Sequence, residues 1–302
     1  MLDLTIVIVN YRCWDKLFIC LKSLENQSAK IKKVIVVDNF SNDDNIKSFI
    51  KKFSWVEFVK EKFNGGFSYG CNVGAKLAKT KWVLFLNPDT EIPKSCLETL
   101  IPYCNKNPDY RLISIKQISD KGKLSYPFGI FPNTLNMFSV FRSLERMFNR
   151  SQLKKMISQK EISFPDWISG SFVLLRIADF KKIGGWDEYF WMYFEDVDLC
   201  KRAYENNMKV VLLNRWKCIH IHGGASRKNL EIKIKTKSEV IISSHKYVQK
   251  HFRGLGKLIA HILIIIQSLI ELIILSPFST VKRGIFITIT RYWFSMILMK
   301  IN

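Results

Sequence analysis

The chain has 302 residues, 48% apolar and 24% charged, enough to bury a large core and too apolar for a disordered polymer. Its formal charge of +21 implies a polyanionic partner, whether phosphorylated substrate, anionic membrane surface or nucleic acid. Seven cysteines (13, 20, 71, 96, 104, 200 and 218) form no CxxC pair and leave an odd one over, which argues against a zinc finger or disulfide framework and for a reducing compartment.

The first ninety residues alternate between strand and helix patterns. "LTIVIVN" (4–10) is a near-continuous β-branched run, as in a strand buried on both faces. Met1-Leu2-Asp3 leads straight into it, so no signal peptide and a cytosolic catalytic part are expected. Apolar residues at 17, 20, 21 and 24 predict a helix from Asp15 to Leu24. "KVIVVDN" (33–39) predicts a second strand, and "SNDDNIKSFIKKF" (41–53) opens with capping residues and continues as a helix. "WVEFVK" (55–60) is a third strand, the glycine-rich "NGGFSYGCNVG" (64–74) a loop leading to a short helix, and "WVLFLN" (82–87) a fourth strand. This alternation predicts a mostly parallel α/β sheet with right-handed crossovers and helices on its faces.

Residues 91 to 165 are less legible, with a loop-like "DKGKLSYPFGIFPN" and a basic helical segment over 135–160. The pattern returns with "WISGSFVLLR" (167–176), an aromatic run from Trp186 to Phe194, and a further strand, "KVVLLN" (209–214). Between Arg227 and Lys257 nine Lys or Arg stand against two Glu, and "LIAHILIIIQSLIELIIL" (258–275) follows. Its polar members His261, Gln267, Ser268 and Glu271 fall within a stripe of roughly 120° on a helix. A spanning helix needs roughly 20 apolar residues, so a helix lying in the membrane interface is expected, with a spanning hairpin or a buried helix pair as alternatives. "GIFITITRYWFSMILM" (284–299) is shorter still and carries Arg291. Adjacent basic residues favour anionic lipid.

Parallel strands deliver their C-terminal ends to one edge, where open α/β sheets bind ligands. Asp38 ends the second strand, the loop Asn64–Asn72 follows the third, and Asn87-Pro88-Asp89 follows the fourth. Glycine permits close backbone approach, but the loop is neither a Rossmann fingerprint nor a P-loop, and a plain turn reads as well. Asp38 and Asp89 are either solvated turn carboxylates or groups for nucleoside and hard divalent cation. Glu195, Asp196 and Asp198 suit a helix N-terminus; beside apolar surface, Asp196 also suits a general base. His220 and His222 flank Ile221 and would share one side of a strand.

Taken in order, "TIVIVNYR", "VIVVDNFSND", "NGGFSYGCNVG", "FLNPDTEI", "WISGSFVLLR", "IGGWDEYFWMYFEDVDLCKR" and "HIHGGAS" resemble the family 2 glycosyltransferases, particularly the rhamnosyltransferase-like branch of bacterial surface polysaccharide synthesis. The resemblance implies a GT-A fold over residues 1–226, with a nucleotide-binding half (1–114) and an acceptor half (115–226); the basic and apolar helical stretch beyond it (227–302) is expected from its composition to associate with a membrane. It implies an inverting transfer, dependent on Mg2+ or Mn2+, from a nucleotide-sugar in polysaccharide synthesis; the apolar, basic tail adds the expectation of a lipid-linked or polysaccharide acceptor at the cytoplasmic face of the membrane. Rhamnose from dTDP-rhamnose is the expected donor; UDP-hexose or UDP-N-acetylhexosamine is the alternative. By position, Asn10, Asp38, Asn64, Gly65, Gly66 and Asn72 would hold the nucleotide. Asn87 and Asp89 stand in the place of the family's DxD-type motif, with Asp89 a metal ligand. Trp167 and Gly170 would border the donor sugar, and Glu195-Asp196 matches the ED pair with Asp196 as base. Either His220 or His222 would complete the metal site.

Two rival readings remain: a nucleic-acid binder, for which the charge lacks any reading motif, and a nucleotide-sugar-binding scaffold without catalysis, against which Asp89, Glu195 and Asp196 stand intact. No nucleic-acid partner is expected.

Overall fold

The structure, a computed structural model, describes residues 1–25, 27, 30–148, 150–158, 160–221 and 229–298. The expected alternation forms as β1 (Leu2–Asn10), α1 (Trp14–Glu25), β2 (Ile31–Asp38), α2 (Asn45–Lys52), β3 (Glu57–Lys60), α3 (Phe67–Lys76) and β4 (Trp82–Leu86). Short β5 (Thr90–Glu91), α4 (Cys96–Lys106), β6 (Tyr110–Ile118) and β7 (Phe128–Gly129) follow. The segment expected to be helical over 135–160 is helical in α5 (Ser139–Phe148) and α6 (Arg150–Ser158), ahead of β8 (Ile162–Ser163) and β9 (Trp167–Ile168). Then come β10 (Phe172–Arg176), α7 (Ile177–Lys182), α8 (Glu195–Glu205), β11 (Lys209–His220), α9 (Leu230–His251), α10 (Gly254–Leu275) and α11 (Thr280–Leu298).

The chain divides into two compact units. One comprises Met1–Phe131, Ser151–Glu188 and Glu195–Ala225; the other comprises Pro132–Arg150, Tyr189–Phe194 and Ser226–Asn302.

Among the described residues of the first unit, nine strands form one sheet in the order β3-β2-β1-β4-β10-β6-β11-β5, with β8 also on β11. Strands β1 to β4 pair in parallel, as do β6 and β11, while β10 runs antiparallel between β4 and β6. The apolar runs are continuous because alternate residues enter separate layers. Ile6, Ile8, Leu84 and Leu86 pack into one core, and Val7, Val9, Val83 and Phe85 into the other.

The glycine-rich stretch departs from expectation: it is a loop only to Gly66, after which α3 begins. Gly70 and Gly74 lie inside that helix. A Cβ on Gly70 would sit 2.7 Å from Val9 Cγ1, and one on Gly74 only 2.3 Å from Val7 Cγ1. The glycines therefore let the helix approach β1, and their helix-breaking tendency yields to that packing. All seven cysteines are buried, and none is joined in a disulfide.

In the second unit α9, α10 and α11 pack together, with Gly284 of α11 seated against Ile234 of α9. By length and composition α10 is the one helix among the described residues apolar enough to cross a membrane, at mean hydropathy 2.5. Its buried ridge is Ala260, Ile264, Ser268 and Leu272, at i, i+4 spacing. Three members of the polar stripe expected here, His261, Gln267 and Ser268, face protein, and Glu271 is exposed at its end. The His261 and His245 rings stack with Nδ1 atoms 2.8 Å apart; Gln267 bonds Met137 and Ser139; Glu271 pairs with Lys282. Apolar side chains occupy most of the outward side.

Candidate active site

Strand direction gathers the expected residues. Asn10 and Asp38 are register partners at the C-terminal ends of β1 and β2, and Leu86, next to Asn87, ends β4 beside them. Because β10 is reversed, its N-terminal end reaches the same edge: Phe172 pairs with Leu86, and Asn87 N–H donates to Ser171 O at 3.0 Å. β11 runs parallel to β6 and brings His220 to this edge as well.

On the β1–β2 side, Asp38 is buried and its Oδ1 accepts from the Ser41 amide at 3.3 Å and from the Ser41 hydroxyl. Its Oδ2 is buried with no partner. Burial pushes the Asp38 carboxyl above its usual range. Asn10 Oδ1 accepts from Cys13 N at 3.2 Å, and Arg12 Nε donates to Ser41 O at 2.9 Å. Asn39, for which the sequence carries no local signal, joins this end to the glycine loop: its Nδ2 donates to Asn64 Oδ1 and Gly66 O, and its Oδ1 accepts from Gly65 N at 3.2 Å. Gly66, at φ 90°, precedes α3 and needs the freedom only glycine has. Asn72 lies further along α3, and its amide is engaged with the backbone of Trp186 and with Glu188.

The second cluster centres on Asp89. β5 pairs antiparallel with the end of β11, setting Thr90 opposite His220. Asp89 Oδ1 then lies 3.2 Å from His220 Nε2, with both side chains about nine-tenths buried. His220 Nδ1 is 2.9 Å from Gln117 Oε1, and the same amide exchanges hydrogen bonds with Ser171 Oγ. With Oε1 accepting, Nδ1 donates, and Nε2 is the ring nitrogen that faces the carboxylate. At this distance the pair is joined either by a proton on Nε2 or by a cation held between Oδ1 and Nε2. Gln117 and Ser171 were not foreseen as site residues. His222, the other histidine considered, lies outside the described residues.

The third cluster is the start of α8. Gly170 N–H donates to Asp196 Oδ2 at 3.1 Å, and Val197 N–H to Asp196 Oδ1 at 2.8 Å. Glu195 is buried with Oε2 unpartnered. Burial, then the charge of Asp196, raises the Glu195 carboxyl well above the ordinary range; burial raises Asp196 against its backbone donors. Asp198 is instead tied to Arg202 Nε at 2.7 Å. Just ahead, Tyr193 and Phe194 take φ of 67° and 64°, a costly region for aromatic residues and one that collects at functional sites. Trp167 donates its indole N–H to Ile130 O at 2.8 Å and lies against Gly129.

A hard cation needs few protein ligands when phosphate supplies the rest. Among the described residues no group of three or more His, Cys, Asp or Glu could hold a metal. The Asp89–His220 pair nevertheless fits two adjacent ligand positions: ligands at about 2.1 Å and right angles stand roughly 3 Å apart.

The model of the glycosyl transferase family 2 matches residues 5–166, more than half the chain. The chain belongs to glycosyl transferase family 2. It is 28% identical over 210 residues to the rhamnosyltransferase WbbL of Escherichia coli (strain K12), covering 66% of this chain and 77% of that protein. It is 24% identical over 221 residues to the N-acetylglucosaminyl-diphospho-decaprenol L-rhamnosyltransferase of Mycobacterium tuberculosis (strain ATCC 25618 / H37Rv), covering 66% and 69%. S. aureus TarS 1-349, solved with UDP-GlcNAc, superimposes with a TM-score of 0.55 at 17% identity over 88% of this chain and 72% of that one. GalNAc-T7, solved with UDP, GalNAc and Mn2+, gives 0.57 at 14% identity over 88% and 54%. The fold is therefore GT-A, and this family 2 member is a glycosyltransferase of glycan synthesis.

Proposed function

We propose that this glycosyltransferase moves a sugar from a nucleotide diphosphate-sugar to a hydroxyl of a lipid-linked or polysaccharide acceptor, with inversion, and that rhamnose from dTDP-rhamnose is its donor. The observation that carries the reading is the buried Asp89–His220 pair at the sheet edge that also holds Asp38 and the Gly170–Asp196 contact. Asp38 and Asn10 bind the nucleoside. Asp89 and His220 hold a divalent ion, Mg2+ or Mn2+, which when bound neutralises charge on the diphosphate. Asp196 takes the acceptor proton; the Gly170 amide fixes its carboxylate, and burial raises its basicity. A single displacement needs no enzyme nucleophile. The rhamnosyltransferase relatives favour rhamnose, and the decaprenol in one relative's name favours a lipid-linked acceptor. A peripheral seat on the cytoplasmic leaflet belongs to the same reading, supported by the outward apolar side of α10 and the basic stretch before it.

The test is thermal stabilisation by dTDP, dTDP-rhamnose, UDP-glucose and UDP-N-acetylglucosamine, with and without Mn2+, on the wild type and Asp89→Ala. Ligand that binds only the folded chain raises Tm. A Mn2+-dependent shift greatest with dTDP-rhamnose and lost in Asp89→Ala is expected. A greater shift with a UDP-sugar would replace the donor, and no shift with any of them would overturn the reading.

A further inference from the structure

The second unit carries two apolar helix faces turned outward. On α5, Val140, Phe141, Leu144, Met147 and Phe148 are all exposed, Phe148 to 75%. Their spacing of i, i+1, i+4, i+7 and i+8 puts them on one side of the helix. On α10, Ile259, Ile262, Ile266, Ile270 and Ile273 form a second exposed stripe, opposite the ridge packed on protein. One side chain joins the helices. Gln267, midway along α10, accepts from Ser139 N at the start of α5 at 2.6 Å and donates to Met137 O at 3.2 Å.

This pattern is inverted for a helix in water, which points polar residues outward and apolar residues in. Here the amide, imidazole and hydroxyl of α10 turn inward and isoleucine is left outside. Apolar faces of this extent mark an interaction surface. Charge selects its occupant. Arg253 before α10 and Arg283 near the start of α11 are both exposed, so guanidinium groups stand beyond each end of the stripe. The chain as a whole carries +21, which opposes a second copy of itself and favours anionic headgroups. α9, packed along the inner side of α10, carries Lys233, Lys235 and Lys237, and α10 could not cross a bilayer without taking those charges with it.

We propose that α5 and α10 together form one docking surface for an anionic lipid bilayer, each helix lying in the interface with its apolar face in the acyl layer. The inference deepens the peripheral membrane seat proposed above and rests on it. Its new content is α5: a helix from the region expected to receive the acceptor is immersed in the layer where a lipid-linked acceptor resides.

The experiment is flotation of the full chain with vesicles of phosphatidylcholine alone and of phosphatidylcholine with phosphatidylglycerol. The variants are Phe141→Asp/Met147→Asp on α5, Ile266→Asp/Ile270→Asp on α10, and Ile50→Asp on exposed α2 as control, each checked by Tm. Wild type and Ile50→Asp float with the anionic vesicles, and each paired variant loses at least about tenfold in bound fraction. An α5 pair that floats like wild type overturns the proposal. So does a wild type that stays with the soluble fraction, or one that alkaline carbonate fails to extract, the mark of a spanning helix. A paired variant that dissociates a dimer while floating normally assigns the faces to a second copy and overturns it too. Donor stabilisation is measured on the same samples. Flotation as expected from a wild type that no nucleotide-sugar stabilises supports the docking surface and overturns the sugar-transfer reading instead.

Discussion

Asp89 and His220 are 131 positions apart in the sequence, yet Asp89 Oδ1 lies 3.2 Å from His220 Nε2 because β5 pairs with the last residues of β11. The pair acts as one unit, so its removal is not additive. Asp89→Asn and His220→Gln are each expected to lower kcat/KM by at least about 100-fold. The double variant falls little further, as expected for groups that work together. Independent hundredfold losses that multiply in the double variant would separate the two side chains functionally.

Gln117 is expected to act through His220. It fixes the imidazole by accepting from Nδ1 and is itself held by Ser171. Gln117→Leu removes that acceptor and leaves Ser171 Oγ with one partner fewer. The Mn2+ concentration for half-maximal activity should rise about 10- to 100-fold, with kcat at saturating Mn2+ nearly unchanged. A fall in kcat with the metal dependence untouched would contradict the positioning role.

The two carboxylates at the start of α8 give opposite pH signatures. Asp196 must be ionised to accept a proton, and burial raises its pKa. The acid limb of kcat/KM should therefore lie above the ordinary Asp value of about 3.9. Glu195 also has a raised folded pKa, so the folded state holds its proton more tightly than the unfolded chain. Stability is thus lost as pH rises from the unfolded Glu value, about 4.3, toward the folded one. Glu195→Gln should raise Tm at neutral pH and converge with wild type below about pH 4. A Tm gain that is constant with pH would sink this assignment.

Gly74 is a packing residue. Gly74→Ala places a methyl 2.3 Å from Val7 Cγ1 and should cost about 1–3 kcal/mol despite alanine's better helix propensity. Val7→Ala in the same chain should return part of the loss. A stabilised Gly74→Ala variant in denaturant unfolding would show that α3 does not need the close approach.

The strands most legible in the sequence are those buried on both faces. The buried stretches of β1, β2 and β4 are near-continuous apolar runs, and their ends point to Asp38 and Asp89. α3 looks like a loop in the sequence because four glycines and two asparagines in eleven residues resemble a turn-rich segment. Only contact with Val7 and Val9 shows why glycine belongs in a helix there. β6 was missed because Arg111, Ser114, Lys116 and Gln117 interrupt its apolar residues, and with it went Gln117. Asn39 and Ser171 carried no local signal; their partners come from distant segments, and short polar residues at strand ends are ordinary turn chemistry. The polar stripe of α10 was visible as periodicity, but periodicity does not say which side faces the protein.

The cysteines permit one more use of the fold. All seven lie in the first unit, and the second has none. A thiol reagent added to the native protein therefore reports on the first unit, where every thiol lies. Timed alkylation becomes a stopwatch for the first unit. A single cysteine engineered into α9 or α11 would give the second its own clock.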